Sequence, residues 1–203
     1  METTTKRVAF ATDQKPLLAA LTNALTFASK DKARPTLCAV NVDRVEHEGR
    51  QALRFVATDR YALSVEAVPC DGAGCWPEGP GLALNRFALD TAMRLVKDAT
   101  KARAPITLEP GEKSVIVSSL GQTVSVAVVD AEYPNWPQLI TTPGTGSTTR
   151  LAPMMFAKLN KLRGPDMGQT SILLEMADTE LKPVRFTLSG NSTCYGILMP
   201  TRA

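Results

Sequence analysis

Histidine is nearly absent from this sequence: His47 is the only one in 203 residues, and it falls in a polar turn far from every cysteine. Protein metal sites draw on several His, Cys or carboxylate ligands at close spacing, so no metal is expected. Cysteine is scarce as well. Cys38, Cys70, Cys75 and Cys194 sit at irregular intervals, and a chain long enough to bury a substantial core does not need them cross-linked, so free thiols are expected. No apolar run approaches the length that crosses a bilayer, and Met1-Glu-Thr-Thr-Thr-Lys-Arg7 leads into no signal-type apolar core. A cytoplasmic protein without membrane contact is the expectation. Groupings that chemistry requires are missing too. The chain has no Gly-rich phosphate loop, and its Ser, His and Asp residues form no triad-like cluster. Asp43, Asp59 and Asp71 give no two-metal pattern, and Asp59, directly after Thr58, reads as a turn former. No catalytic residue and no cofactor is assigned, and the chain is not read as an enzyme.

What the sequence does contain is a repeat. Val8-Ala-Phe10 reads as a strand, Asp13 as a cap, and Leu17, Leu18, Leu21, Leu25 and Ala28 as one face of a helix with Pro16 in its first turn. Strands follow at 36–42, 52–58 and 61–68, with turns at Glu46–Gly49 and Asp59-Arg60. After a Gly- and Pro-rich connection at 70–80, Leu82-Ala-Leu84 leads to Asn85, a helix cap. The helix buries Leu89, Met93 and Val96, and three more strands occupy 106–108, 114–117 and 123–129. A third round starts at Arg150, enters a helix at Pro153 and ends in strands at 171–176, 184–188 and 194–199. The units begin about seventy residues apart, a spacing that fits duplicated half-domains better than a solenoid. The expected fold class is α+β, three strand-helix-three-strand units with antiparallel sheets. Residues 1–140 form one complete domain in this reading: half-units 7–69 and 81–131, then a packing segment at 132–140 whose two prolines exclude regular structure but whose aromatics must pack on something. Residues 141–149 read as a Thr/Gly-rich linker and 150–203 as half of a second domain. The chain's last strand carries Ile197, Leu198 and Met199 in a row before Pro200 stops it; such a stretch is either core or one wall of a partner groove.

Charge follows the repeat. Segments 13–34, 85–103 and 150–166 hold four, five and four basic residues against two, two and one acidic, an excess of eight in a chain whose net charge is only +3. Basic helices and acidic sheets suit a scaffold that turns its helices to a polyanion. The candidate contacts are Lys15 and Lys30 in the first unit, Arg86, Arg94, Lys97 and Lys101 in the second, and Lys158 and Lys161 in the third. No aromatic residue interrupts these stripes, so contact with a duplex backbone is expected rather than stacking on single-stranded bases.

Phe55-Val-Ala-Thr-Asp-Arg-Tyr-Ala-Leu63, Tyr133-Pro-Asn-Trp-Pro-Gln-Leu139 and Leu198-Met-Pro-Thr-Arg202, in this order, resemble three motifs of the bacterial DNA polymerase III beta sliding clamp: VATDGHRLA, FPDYRRV and the terminal MPMRL. The resemblance spans most of residues 7–203, as though the middle clamp domain ran directly into the last half of the third. It implies a DNA-clamp fold, a ring around duplex DNA with helices on the inner face and sheets outside, and a non-catalytic processivity factor. It also implies a groove for short peptides of DNA polymerases, clamp loaders or repair proteins. Carried over residue by residue, that groove takes Leu37; Thr58, Arg60, Tyr61, Ala62 and Leu63; Pro134, Gln138 and Leu139; and Ile197, Leu198, Met199, Pro200, Thr201 and Arg202. Arg60 stands where the motif has glycine, Pro137 and Gln138 where it has two arginines, and Ala203 where it has leucine. Twelve half-units make a clamp ring, so three per chain imply a homotetramer, with an open dimer as the runner-up. The competing reading is a ring-less adaptor or decoy that binds the same peptides and no DNA.

Overall fold

The structure, a computed structural model, describes residues 7–10, 13–140, 144, 148–168, 170–179, 181–189 and 191–201. The first unit comprises β1 (Val8–Phe10), α1 (Lys15–Phe27), β2 (Ala39–His47), β3 (Arg50–Thr58) and β4 (Ala62–Pro69). The second comprises β5 (Leu82–Asn85), α2 (Arg86–Ala102), β6 (Ile106–Pro110), β7 (Ser114–Ser119) and β8 (Gln122–Ala127). The third holds α3 (Pro153–Leu159), β9 (Ile172–Glu175), β10 (Val184–Leu188) and β11 (Asn191–Leu198).

Local chemistry accounts for many of these boundaries. Glu48-Gly49 and Leu120-Gly121 both place two successive residues at positive φ, the conformation that closes tight hairpins between right-twisted strands, here β2–β3 and β7–β8. The Asn85 side chain accepts from the Phe87 and Ala88 N–H groups and starts α2; Arg103 ends it in the left-handed region. Asp13 sits one residue too early to cap α1: its carboxylate accepts from Lys15 N, and Gln14 occupies the cap position. Residues 35–38 form a turn rather than the start of β2. Within 132–140 a single 3₁₀ turn, Trp136–Leu139, accommodates Pro137 near its start, the one place in such a turn where a missing N–H leaves nothing unmade.

Two antiparallel sheets result. One has the strand order β1-β6-β7-β8; the other, of seven strands, runs β5-β2-β3-β4-β11-β10-β9. The first two units thus exchange their leading strands, β1 joining β6 and β5 joining β2. The third unit is joined to the first by a continuous seam, Leu63 opposite Ile197 and Ser64 opposite Gly196. Helices cover one side of the sheets: α1 packs on β3 and β4, α2 on β7 and β8, and the two helices on each other. The main core fills this layer, with Leu17, Phe27, Val40, Phe55, Ile106 and Phe186 fully enclosed. Phe27 of α1 stacks on Phe186 of β10 at 5.5 Å, binding the first unit's helix to the third unit's sheet. A smaller cluster lies on the opposite sheet face, where Trp136 packs with Val56, Leu63, Val65 and Ile197.

One element differs from the repeat. Residues 148–152 precede α3 without forming a strand, because a leading strand in this fold pairs with a neighbouring unit's sheet rather than its own, and the third unit has no such neighbour in the described chain. Of the linker, residues 141–143 and 145–147 lie outside the described residues; Gly144 N donates to the Met176 carbonyl.

Candidate functional site

Side-chain alternation along the seam decides what reaches the outer face. On β4, Ala62 points into the helix-side core and Leu63 outward; on β11, Leu198 points inward and Ile197 outward. The Trp136–Leu139 turn is held over this face by Trp136, whose ring packs beneath the Arg54 guanidinium at 4.8 Å. Tyr133 adds a hydrogen bond from its hydroxyl to the Val56 carbonyl, and burial pushes that phenol far above its ordinary range. Between turn and seam opens a pocket of about 270 Å³ lined by Thr58, Arg60, Ala62, Leu63, Gln138, Leu139, Pro183, Ile197 and Met199. Four segments distant in sequence meet here, 58–63, 138–139, 183 and 197–199.

The β3–β4 turn at one end is fixed by its own side chains. Thr58 Oγ1 donates to the Ala62 carbonyl and accepts from Arg60 N; Asp59 Oδ1 accepts from Tyr61 N and Ala62 N. The other Asp59 oxygen pairs with Lys158 of α3, at a site where both side chains are under one-fifth exposed. Arg60 is held at φ 82° with its guanidinium 5.3 Å above the Tyr61 ring. Met199 N donates to the Tyr61 carbonyl, which draws the chain past β11 along the pocket.

Eight of the fifteen sequence-assigned groove residues therefore line one cavity. Leu37, Tyr61, Pro134, Leu198, Pro200 and Thr201 do not, and Arg202 lies outside the described residues. Leu198 is wholly buried on the inner face of β11, and Leu37 is buried beyond α1, its carbonyl bonded to Ser29 N. Thr201 instead donates its N–H to the Arg150 carbonyl. Pro183 was not anticipated. It borders β10, and nothing in its sequence neighbourhood marks it as facing a groove.

On the helix side, a cleft of about 320 Å³ gathers Thr22, Thr26 and Lys30 from the first unit, Arg86, Asp90 and Lys97 from the second, and Lys161 from the third. Lys30, Lys97 and Lys161 are exposed there, and Lys15, Arg94 and Lys101 are exposed beyond the cleft. Two assigned cations are corrected. Arg86 is only 4% exposed; Nη1 donates to the Ala28 carbonyl at 2.5 Å and to that of Ser29 at 3.2 Å, tying the start of α2 to the end of α1. Lys158 is spent on Asp59 and lies over the Phe27 ring. The carboxylates considered for metal chemistry have structural roles: Asp43 forms a two-pronged pair with Arg54 at 2.5 and 3.0 Å, and Asp59 orders its turn. Asn23, buried in α1, joins the units: its Nδ2 donates to Glu66 of β4 and to the Arg163 carbonyl, and its Oδ1 accepts from Arg163 N. Beside it, burial first and Glu66 second push the Cys194 thiol well above its ordinary range. Among the described residues, no helix is long and apolar enough to cross a membrane.

Exchanged leading strands, a shared helix layer and sheets joined edge to edge define a DNA sliding-clamp fold. More narrowly, it is the fold of the bacterial DNA polymerase III beta subunit. The beta sliding clamp of Caulobacter crescentus superposes with TM-score 0.75 at 18% identity, over 100% of this chain and 68% of that one. The DNA polymerase III beta subunit of Thermotoga maritima gives 0.74 at 16% identity, covering 97% of this chain and 66% of the other. The DNA polymerase sliding clamp of Pseudomonas aeruginosa gives 0.76 at 11% identity, covering 98% and 67%. The chain thus spans about two-thirds of the length of the clamps it matches. No protein-family model and no curated protein sequence matches it.

Proposed function

We propose that this chain is a non-catalytic DNA sliding clamp, which encircles duplex DNA as an oligomeric ring and tethers a polymerase, clamp loader or repair protein through the groove between β4, β11 and the Trp136–Leu139 turn. The observation that carries this reading is the groove itself: an open, apolar-floored pocket at the seam of a clamp fold, bounded by Leu63, Leu139, Ile197 and Met199. A short peptide with two apolar side chains would bury each against this floor, about 1.5–3 kcal/mol apiece. The helix-side cleft supports the DNA half of the reading, because three exposed lysines from three units face one space while the bulk of the acidic residues lies elsewhere. Four chains of three units, the favoured count, supply the twelve units of a ring; two chains leave an open arc.

Retention on DNA tests it. Duplex ligated into a circle in the presence of the protein keeps a topologically linked ring at salt that strips backbone contacts, whereas linear duplex loses it from the ends. Charge reversal at the exposed pair Arg94→Glu and Lys97→Glu reduces retention and leaves the oligomer's mass unchanged. Equal loss from circular and linear DNA overturns encirclement, and peptide binding without any DNA retention would establish the adaptor in its place.

A further inference from the structure

The walls of the groove are held by different means. Leu63 and Ile197 sit opposite each other on paired strands, and Leu139 belongs to the turn that the Trp136 ring seats on the sheet. The β3–β4 turn, which gives the groove Thr58 and Arg60, is held instead by side-chain hydrogen bonds. Arg60 and Tyr61 at its tip are exposed, while Asp59 is turned inward. The Asp59 carboxylate has a separate task for each oxygen. Oδ1 accepts from Tyr61 N at 3.1 Å and from Ala62 N at 3.0 Å, which closes the turn around Arg60 at its positive φ. Oδ2 meets the Lys158 ammonium.

Lys158 comes from another unit, and its path is fixed by packing. Met155 and Leu159 of α3 are buried, which sets the rotation of the helix and the direction in which Lys158 leaves it. Its ammonium lies 5.4 Å from the centre of the Phe27 ring, so the apolar stem and the charge both have a partner on the way to Asp59. Phe27 is itself fully enclosed and stacked on Phe186. A lysine held in this way delivers its charge to one place. The pair is withdrawn from water, the Lys158 and Asp59 side chains being 14% and 17% exposed. Removing one member of such a pair leaves the other's charge unmatched. Without Lys158, the carboxylate would turn toward water and give up Tyr61 N and Ala62 N.

We propose that Lys158 is a positioning residue for the groove: through Asp59 it holds the β3–β4 turn, and with it Thr58 and Arg60, in the shape that receives a partner peptide. The inference rests on the groove reading above and adds a support to it. The third unit thus contributes twice to the site, with β11 as part of the floor and with α3 as the brace behind one wall.

The test uses the full chain and two readouts. Fluorescence anisotropy follows a labelled peptide that carries two leucines and one acidic residue, and amide exchange read by NMR follows the turn. Lys158→Met is expected to lower peptide affinity about tenfold and to speed exchange at Tyr61 and Ala62, while amides in the middle of β4 and β7 keep their rates. Lys158→Arg, which retains a charged donor, restores both readouts. In Asp59→Asn the amide oxygen can still accept from the two N–H groups, and adding Lys158→Met lowers neither readout further. Should Lys158→Met alone fail to fold, this second comparison decides, because the double variant strands no charge. Wild-type affinity and exchange in folded Lys158→Met overturn the proposal, as does faster exchange spread through β4 and β7, which would mark a general loss of stability. A wild type that binds no peptide removes the groove reading, and the exchange of Tyr61 and Ala62 then decides whether Lys158 holds the turn.

Discussion

Arg60 occupies a backbone conformation that glycine takes at no steric cost. At φ 82° an arginine gives up about 1 kcal/mol, and residues held this way concentrate at binding sites. Its guanidinium is the only charge among the described residues that line the pocket. Arg60→Gly is expected to stabilise the fold by about 1 kcal/mol and to weaken, about fivefold, a peptide that carries an acidic residue beside its apolar anchors. A neutral peptide with the same anchors keeps its affinity. Fluorescence anisotropy with the two peptides checks this, and equal changes for both would refute a charge role. The same scale sets the limit of what the sequence revealed. Arg86 and Arg94 look alike on a helical projection, yet Arg86 reaches the open carbonyls at the end of α1 and disappears inside, because helix ends attract cations. Which basic residue meets such a carbonyl depends on how α1 and α2 cross, and no local pattern encodes that.

Elements were legible at most places where capping and turn chemistry is local, α1 being the exception because Asp13 precedes its cap position by one residue. Asn85, the Glu48-Gly49 turn and the apolar face of α2 are all plain in the sequence and all present. Pairing between distant strands was less so: a strand pattern gives a period and a face but no partner, and the β4–β11 seam joins residues far apart in the chain. Three short motifs led to eight of the residues that line the pocket, and Pro183, which carries no motif, escaped. The seam is sensitive at Gly196. A Cβ there would overlap the Leu63 carbonyl oxygen and the Phe186 ring. Gly196→Ala is expected to cost about 1–3 kcal/mol in urea unfolding and to abolish peptide binding, although Gly196 does not line the pocket. Unchanged binding by the variant would mean that the groove does not depend on strand contact at the seam.

At the scale of the whole molecule, two thiols withdrawn from water, Cys70 partly and Cys194 fully, make stability depend on alkaline pH. Burial raises Cys70 from 9.0 to about 11, and burial together with Glu66 raises Cys194 well above 9.0. Each thiol holds its proton more tightly in the folded chain than in the unfolded one. The stability linked to that proton is therefore intact below pH 9 and is lost as pH rises through about 11. The urea midpoint should fall between pH 8 and pH 10.5, on the order of the window that the thiol shifts define, and Cys70→Ser should flatten the fall. A midpoint that does not move, or a decline that Cys70→Ser leaves intact, would remove the Cys70 contribution.

The position of the groove has a mechanical consequence. Its floor is made from both sides of the seam, Leu63 on one strand and Ile197 on the next, so a peptide lying across it bridges two units as a staple bridges two sheets of paper. Separating those units would first require evicting the peptide, and the work of opening would rise with its concentration over its dissociation constant. In the ring proposed above, every occupied groove would stiffen its own joint, and the assembly would yield first where no client is attached.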